Sequence, residues 1–448
     1  MVGIVRDTWN ANIADSRFWA SSTGYSYHSD DGNKYNNGSG SSYGATYTGS
    51  DVIGVALDMD AGTLTFYKNG TSQGQAFSGL TGAFKFAYGG TSMTANFGQR
   101  PFAYTAPSGF KSLCTANLPA PVITKPSDVM DVKLYTGNGS TQTISGLGFS
   151  PNLVWIKGRS GATDHALYDT VRGVQQQLES NTTTDETTES TGLTAFNSDG
   201  FALGALAQAN TSSATYTAWC WDESVSAGFD IVTYTGNGSA RTIAHSLGVA
   251  PSMIIVKART TASTDQGWPV YHSANTAAPA TDYLLLNDTA ATADLDTVWN
   301  DTAPTSSVFS VGTNALVNAN ADTYVAYCFA PVAGYSSFGS YTGNGSADGP
   351  FIYTGFRPRF VMLKGSSFVS NWHILDAARN AYNVTDSFLR PNLSSQEFNG
   401  ITEGAGSAID ILSNGFKLRA SFADSNTNAA SFVWAAFAES PFQYARAR

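Results

Sequence analysis

Four polar residues able to do chemistry lie close together in the first half of the chain: Asp164-His165, then Asp169, then Arg172. The same slots recur downstream as Asn371-Trp372, Asp376 and Arg379, and as Gly267-Trp268 with His272. An indole face beside carboxylate, imidazole and guanidinium groups is what a sugar site uses: stacking on C–H faces plus directional hydrogen bonds. The candidate binding residues are therefore His165, Asp169, Arg172, Trp268, His272, Trp372, Asp376 and Arg379. The competing reading is an Asp–Arg pair that pins a loop while the tryptophan packs on the end of a sandwich. The change from His165 to Trp268 and Trp372 at one position is unusual for a strictly structural slot.

Catalytic and metal signatures are missing from the sequence. It holds no Gly-x-Ser-x-Gly elbow and no phosphate loop. Its five histidines, His28, His165, His245, His272 and His373, show no metal-ligand spacing, so neither a metal nor a cofactor is expected. Asp58-Met59-Asp60-Ala61-Gly62 has the flavour of a calcium loop, but Thr63-Leu64-Thr65-Phe66-Tyr67 follows where further acidic ligands belong. A strand end and hairpin turn explain that segment better. The two carboxylates of a glycosidase need not be close in sequence, so a polysaccharide depolymerase stays open as an alternative.

The elements that must position these residues are strands. Tyr-Thr-Gly-Asn-Gly-Ser occurs at Tyr135–Ser140, Tyr234–Ser239 and Tyr341–Ser346, each time followed by a proline (Pro151, Pro251, Pro358) and, six residues later, a lysine (Lys157, Lys257, Lys364). Between proline and lysine lie short apolar runs such as Leu153-Val154-Trp155-Ile156, which read as central sandwich strands. Repetition at this length predicts domains that each own a core, stacked as a semi-rigid rod. Upstream, Val52–Met59 and Thr63–Lys68 flank a turn, and Asn69-Gly70 is a strong hairpin signal. A short helix is expected at 170–180. Trp219-Cys220-Trp221, Tyr327-Cys328-Phe329 and Ala435-Ala436-Phe437 align, so the cysteines read as small buried hydrophobes. The Pro-rich stretch Pro119–Pro126 is a linker. The expected division is 1–118, a linker at 119–129, and repeats at 130–228, 229–334 and 335–448.

Composition narrows the function classes. Charged residues make up 13% of the 448, with a net charge of −10 and no basic cluster, which removes the electrostatic basis for nucleic-acid binding. No apolar run reaches the ~20 residues that span a bilayer, and no secretory signal opens the sequence. The expectation is a soluble protein with no membrane insertion.

Two resemblances follow. Gly24-Tyr25, Ser29–Tyr35, Gly49–Asp60, Gly62–Gly70, Ala76-Phe77 and Asn96-Phe97-Gly98 resemble the second half of a SPRY domain, a β-sandwich interaction module. Because that pattern normally has strands before Val2–Val5, the module is expected to be N-terminally incomplete, with an exposed apolar edge there. The three repeats resemble a repeat domain of tailed-bacteriophage virion appendage proteins. That resemblance is carried by Tyr-Thr-Gly-Asn-Gly-Ser, Gly148–Pro151, Trp155-Ile156-Lys157, Asp169–Gly173, Asp199-Gly200-Phe201, Trp219-Cys220-Trp221 and the ending Pro441–Arg448. Together they imply an all-β tandem array of β-sandwich domains in a non-enzymatic virion protein. It would be a tail-fibre or head-appendage rod presenting a host-recognition, glycan-binding surface. Its partners would be further copies of itself (a trimer favoured), other virion proteins and a host surface glycan, and it would be made in the host cytoplasm. The alternatives are a capsid or tail decoration protein with purely structural contacts, and the depolymerase above.

Overall fold

Apolar side chains recurring at every second position fold this chain into strands, and the computed structural model is all-β apart from single helical turns. It describes all residues except 7–16, 91–92, 115–116, 118–119, 261–266, 400–405 and 442–448; the C-terminal ending beyond Pro441 thus lies outside the described residues. Two compact units are formed, Met1–Pro119 and Ala120–Arg448.

The N-terminal unit is a sandwich of two sheets. Its strands are β1 (Val2–Arg6), β2 (Gly24–Tyr27), β3 (Asn33–Asn36), β4 (Ser39–Ser42), β5 (Ile53–Asp58), β6 (Thr63–Lys68), β7 (Thr71–Phe77) and β8 (Phe84–Tyr88). One sheet runs β4-β3-β2-β1-β8 and the other β5-β6-β7. Val2, Ile4 and Tyr27 of the first meet Leu64, Phe66 and Ala76 of the second to form the core. Asp58 and Thr63 pair at the predicted turn, where Asp58 Oδ1 accepts the amides of Asp60 and Ala61. Asn69 and Gly70 both take positive φ, as a two-residue hairpin turn requires. The apolar edge expected at Val2–Val5 is not an edge. β1 is buried between β2 and β8, because a strand more than seventy residues downstream pairs with it, and sequence proximity gives no hint of that.

Each repeat has the same four strands in the same order, as the whole sheet in the first and within a six-stranded sheet in the second and third. The order is Ala166–Asp169, Leu153–Gly158, Thr215–Trp221, Met130–Thr136 in the first. The matching strands are Pro269–His272, Met253–Thr260, Thr323–Phe329, Phe229–Thr235 in the second, and Trp372–Asp376, Phe356–Gly365, Ser431–Pro441, Ser336–Thr342 in the third. Lys157, Lys257 and Lys364 sit in equivalent register, opposite Thr217, Val325 and Val433. The helix expected at 170–180 is a tight turn followed by the short strand Gln176–Gln177. Asp169 draws the Arg172 amide back at 2.8 Å, and positive φ at Gly173 and Gln175 stops any helix.

The tandem hexapeptide is a clamped turn. A buried asparagine at the end of a one-turn helix (Asn210, Asn318 or Asn426) accepts the amide of its Asn138, Asn237 or Asn344 at 2.9–3.0 Å. Its Nδ2 donates to the carbonyl of Ser140, Ser239 or Ser346. A Cβ on Gly137, Gly236 or Gly343 would lie 2.0–2.2 Å from a backbone oxygen, so only glycine fits there. The leading tyrosine donates to the backbone of the same helix and stacks on Tyr216, Tyr324 or Phe432.

Alternation along the central strands decides how the repeats combine. Val154 and Ile156 face a small second sheet and close a private core with Phe201 and Leu203; Ile254 and Val256 do the same with Phe309 and Val311. The opposite face, with Leu153 and Trp155, Met253 and Ile255, Phe360 and Met362, enters one core common to all three repeats. Trp221, Phe329 and Phe437, one from each repeat, make mutual edge contacts with centroids 5.7–6.3 Å apart. The expected rod of beads is thus replaced by three sandwiches closed around a shared interior. The physical reason is that strands apolar on both faces must be covered on both.

Candidate functional site

All eight candidate residues are buried, at 0–9% exposure. They lie where one repeat meets the next, and two of the three seams share one set of contacts. Trp372 and Asp376 belong to a buried strand and Arg379 to the turn after it. None presents a face to a sugar, which corrects the binding-site expectation. The aromatic and ionic chemistry is real, but its partners are other repeats.

Between the first and second repeats, Asp169 accepts Arg172 Nε and the Tyr327 hydroxyl, the latter at 2.8 Å. Arg172 Nη1 donates to Glu186 at 2.9 Å, and Glu186 also receives Arg259 in a two-pronged pair at 2.8 and 3.0 Å. Between the third and first repeats the pattern returns, with an indole N–H in place of the tyrosine hydroxyl. Asp376 accepts Arg379 Nε at 2.6 Å and the Trp219 indole at 3.0 Å. Glu397 takes Arg379 at 3.1 Å and Arg159 at 2.8 and 2.9 Å. Burial raises the Asp376 carboxyl, but Arg379 and the Trp219 N–H outweigh it and hold its pKa below the usual range. Buried ion pairs of this kind fix one arrangement, because removing either partner strands a charge out of water.

The seam between the second and third repeats is built differently. His272 stands where Asp169 and Asp376 do, and Ala435 where Trp219 and Tyr327 do. His272 Nδ1 accepts the Ala274 amide at 3.2 Å while Nε2 meets the Trp434 carbonyl at 3.0 Å, which sets a neutral Nε2–H ring. Burial lowers its pKa to about 4. His165 is likewise committed on both nitrogens, to the Trp155 indole and the Arg390 carbonyl, and burial holds it well below the ordinary value. Trp268 and Trp372 each donate their indole N–H to carbonyls of the preceding repeat, at 3.1 and 2.8 Å. That shared donation to a neighbouring repeat is why one slot accepts either His165 or a tryptophan.

The sequence reading did not assign the lysines to these seams. Lys157, Lys257 and Lys364 are fully buried, and each donates across a seam, to the carbonyls of Ser394, Thr183 and Thr289 at 3.1–3.3 Å. Burial lowers Lys157 and Lys364 to about 8. It also overlooked Glu186, Glu397, Arg159 and Arg259, although the two arginines stand two places after an aligned lysine. The void at the common axis measures about 20 Å³ and has an apolar wall including Trp155, Trp221, Ile255 and Phe437. That is room for a water-sized molecule at most.

A second cluster lies in the N-terminal unit, where a ring nitrogen of His28 and a carboxylate oxygen of each of Asp30 and Asp31 fall within 4.8 Å of one another. A search for histidine pairs alone passes over it; the signal is His-x-Asp-Asp within one hairpin.

The fold defines a class: a two-sheet β-sandwich followed by three interlocked sandwich repeats. The chain belongs to the DUF7483 family, a domain of unknown function whose model matches residues 125–441 as one piece. Residues 1–100 are a SPRY domain. The chain is similar over 108 residues, at 36% identity, to Ran-binding protein 9 of Xenopus tropicalis. It is 40% identical over 85 residues to the Ran-binding proteins 9/10 homolog of Drosophila melanogaster, and 37% over 91 to the dual specificity protein kinase splA of Dictyostelium discoideum. These stretches make up 23%, 18% and 18% of this chain but only 20%, 9% and 4% of those proteins, so the likeness is confined to a part of each.

Proposed function

We propose that this chain is a non-enzymatic structural and recognition protein of a tailed-bacteriophage particle, a tail-fibre or head-appendage component. The observation that carries the reading is the closed set of seams: the groups best equipped for acid–base chemistry lock repeat to repeat around a common core. Such a unit suits load-bearing and display better than turnover. The virion assignment rests on the resemblance of the hexapeptide repeats. Recognition, of a host glycan or a neighbouring virion protein, falls to the SPRY domain and to exposed loops, since loops tolerate variation that a buried seam does not. The relatives named for binding Ran support an interaction role for a SPRY domain in general terms.

Immunogold microscopy with antibody to the full chain, on particles purified from producing cells, tests this. Gold on heads or tails, with no oligosaccharide released when the pure protein meets host envelope polysaccharide, is expected. Protein that never sediments with particles, or that releases oligosaccharide, overturns the reading.

A further inference from the structure

The turn between β2 and β3 holds three potential metal ligands, and the side chains of two of them make no hydrogen bond among the described residues. Asp31 is occupied: its Oδ1 accepts the Asn33 amide at 2.9 Å, and its Oδ2 accepts Asn33 Nδ2 at 3.0 Å and the Tyr35 hydroxyl at 2.6 Å. Asp30 is exposed. His28 is 9% exposed, and its Nε2 is enclosed without a hydrogen-bond partner among the described residues. An enclosed, unpaired ring nitrogen is uncommon, because burying it without a partner is unfavourable. The ring is fixed by Tyr35 stacked at 4.1 Å and Trp19 edge-on at 5.2 Å.

We propose that His28, Asp30 and Asp31 form a binding site for a divalent cation of the zinc type, with water completing the coordination. One imidazole and two carboxylates is a donor set for a borderline ion and not for calcium, which takes oxygen ligands throughout. Ligands on one tetrahedral zinc stand roughly 3.4 Å apart, given metal–ligand distances of about 2.0–2.2 Å. The three ligand atoms already lie within 4.8 Å of one another, so the site closes on an ion with a modest side-chain adjustment. The hairpin's asparagine and tyrosine keep Asp31 oriented, as outer hydrogen bonds do for metal-bound carboxylates.

Isothermal titration of the full chain, stripped with chelator and supplied with zinc chloride alone, tests the site. One saturable ion per chain is expected, bound at least tenfold more weakly by Asp30→Asn and by His28→Gln. Zinc should also raise the melting temperature of the parent protein and leave that of Asp30→Asn unmoved. Asp30 is exposed and makes no side-chain hydrogen bond or ion pair among the described residues, so this variant stays informative even if His28→Gln unfolds. No saturable binding, or affinity unchanged in Asp30→Asn (an adventitious surface ion only), overturns the proposal.

Discussion

His272 shows how one residue sets the character of a seam. The folded chain holds it neutral with a pKa near 4, whereas an unfolded histidine titrates near 6.5. Between those values the unfolded state binds more protons. Its contribution to stability is therefore intact above about pH 6.5 and is lost as pH falls towards 4. Urea unfolding at pH 7 and pH 4.5 should show the parent protein losing about 2–3 kcal/mol more than His272→Gln. His165 is present in both proteins and cancels from that comparison. Equal losses would mean that the ring is not held neutral by burial. The sequence showed that His272 replaces an aspartate; it could not show that its partner is the backbone of Trp434, 162 positions away.

At the scale of the element, the hexapeptide was legible as a repeat and as a turn, and its cause was not. Gly-Asn-Gly announces positive φ, and Gly139, Gly238 and Gly345 duly take it. The residue that clamps the turn lies 70–80 positions downstream, in a one-turn helix too short to leave a periodic signal. Asn318→Ala should cost roughly 2–3 kcal/mol, because it leaves the Asn237 amide and the Ser239 and Gly312 carbonyls without their partner. Chemical denaturation measures this directly. A loss under about 0.5 kcal/mol would show that water replaces the clamp. The strands were the most readable elements, since continuous apolar runs launched by proline leave few alternatives. The third repeat bends that rule: Pro358 sits inside its strand, at an irregular register beside Glu439.

For the whole molecule, the all-β class, the SPRY likeness and the common topology of three repeats were all readable in the chain. The arrangement of the repeats was not. A strand such as Leu153-Val154-Trp155-Ile156 declares that both faces are covered without saying by what. The second covering proves to be two other repeats, brought together by pairs such as Arg159–Glu397 across 238 positions. The polar slots looked like a binding site for the same reason, since the aromatic, acidic and guanidinium groups that hold a sugar also hold a seam.

The three repeats share one interior, and hydrogen exchange on Trp221→Ala reports that sharing. Trp221 belongs to the first repeat but touches Phe329 of the second and Phe360 and Phe437 of the third. Its removal should cost about 3–5 kcal/mol. Protection should fall together in Thr215–Trp221, Thr323–Phe329 and Ser431–Pro441, the central strands of all three repeats. Loss of protection confined to the first repeat, with the other two unchanged, would contradict it.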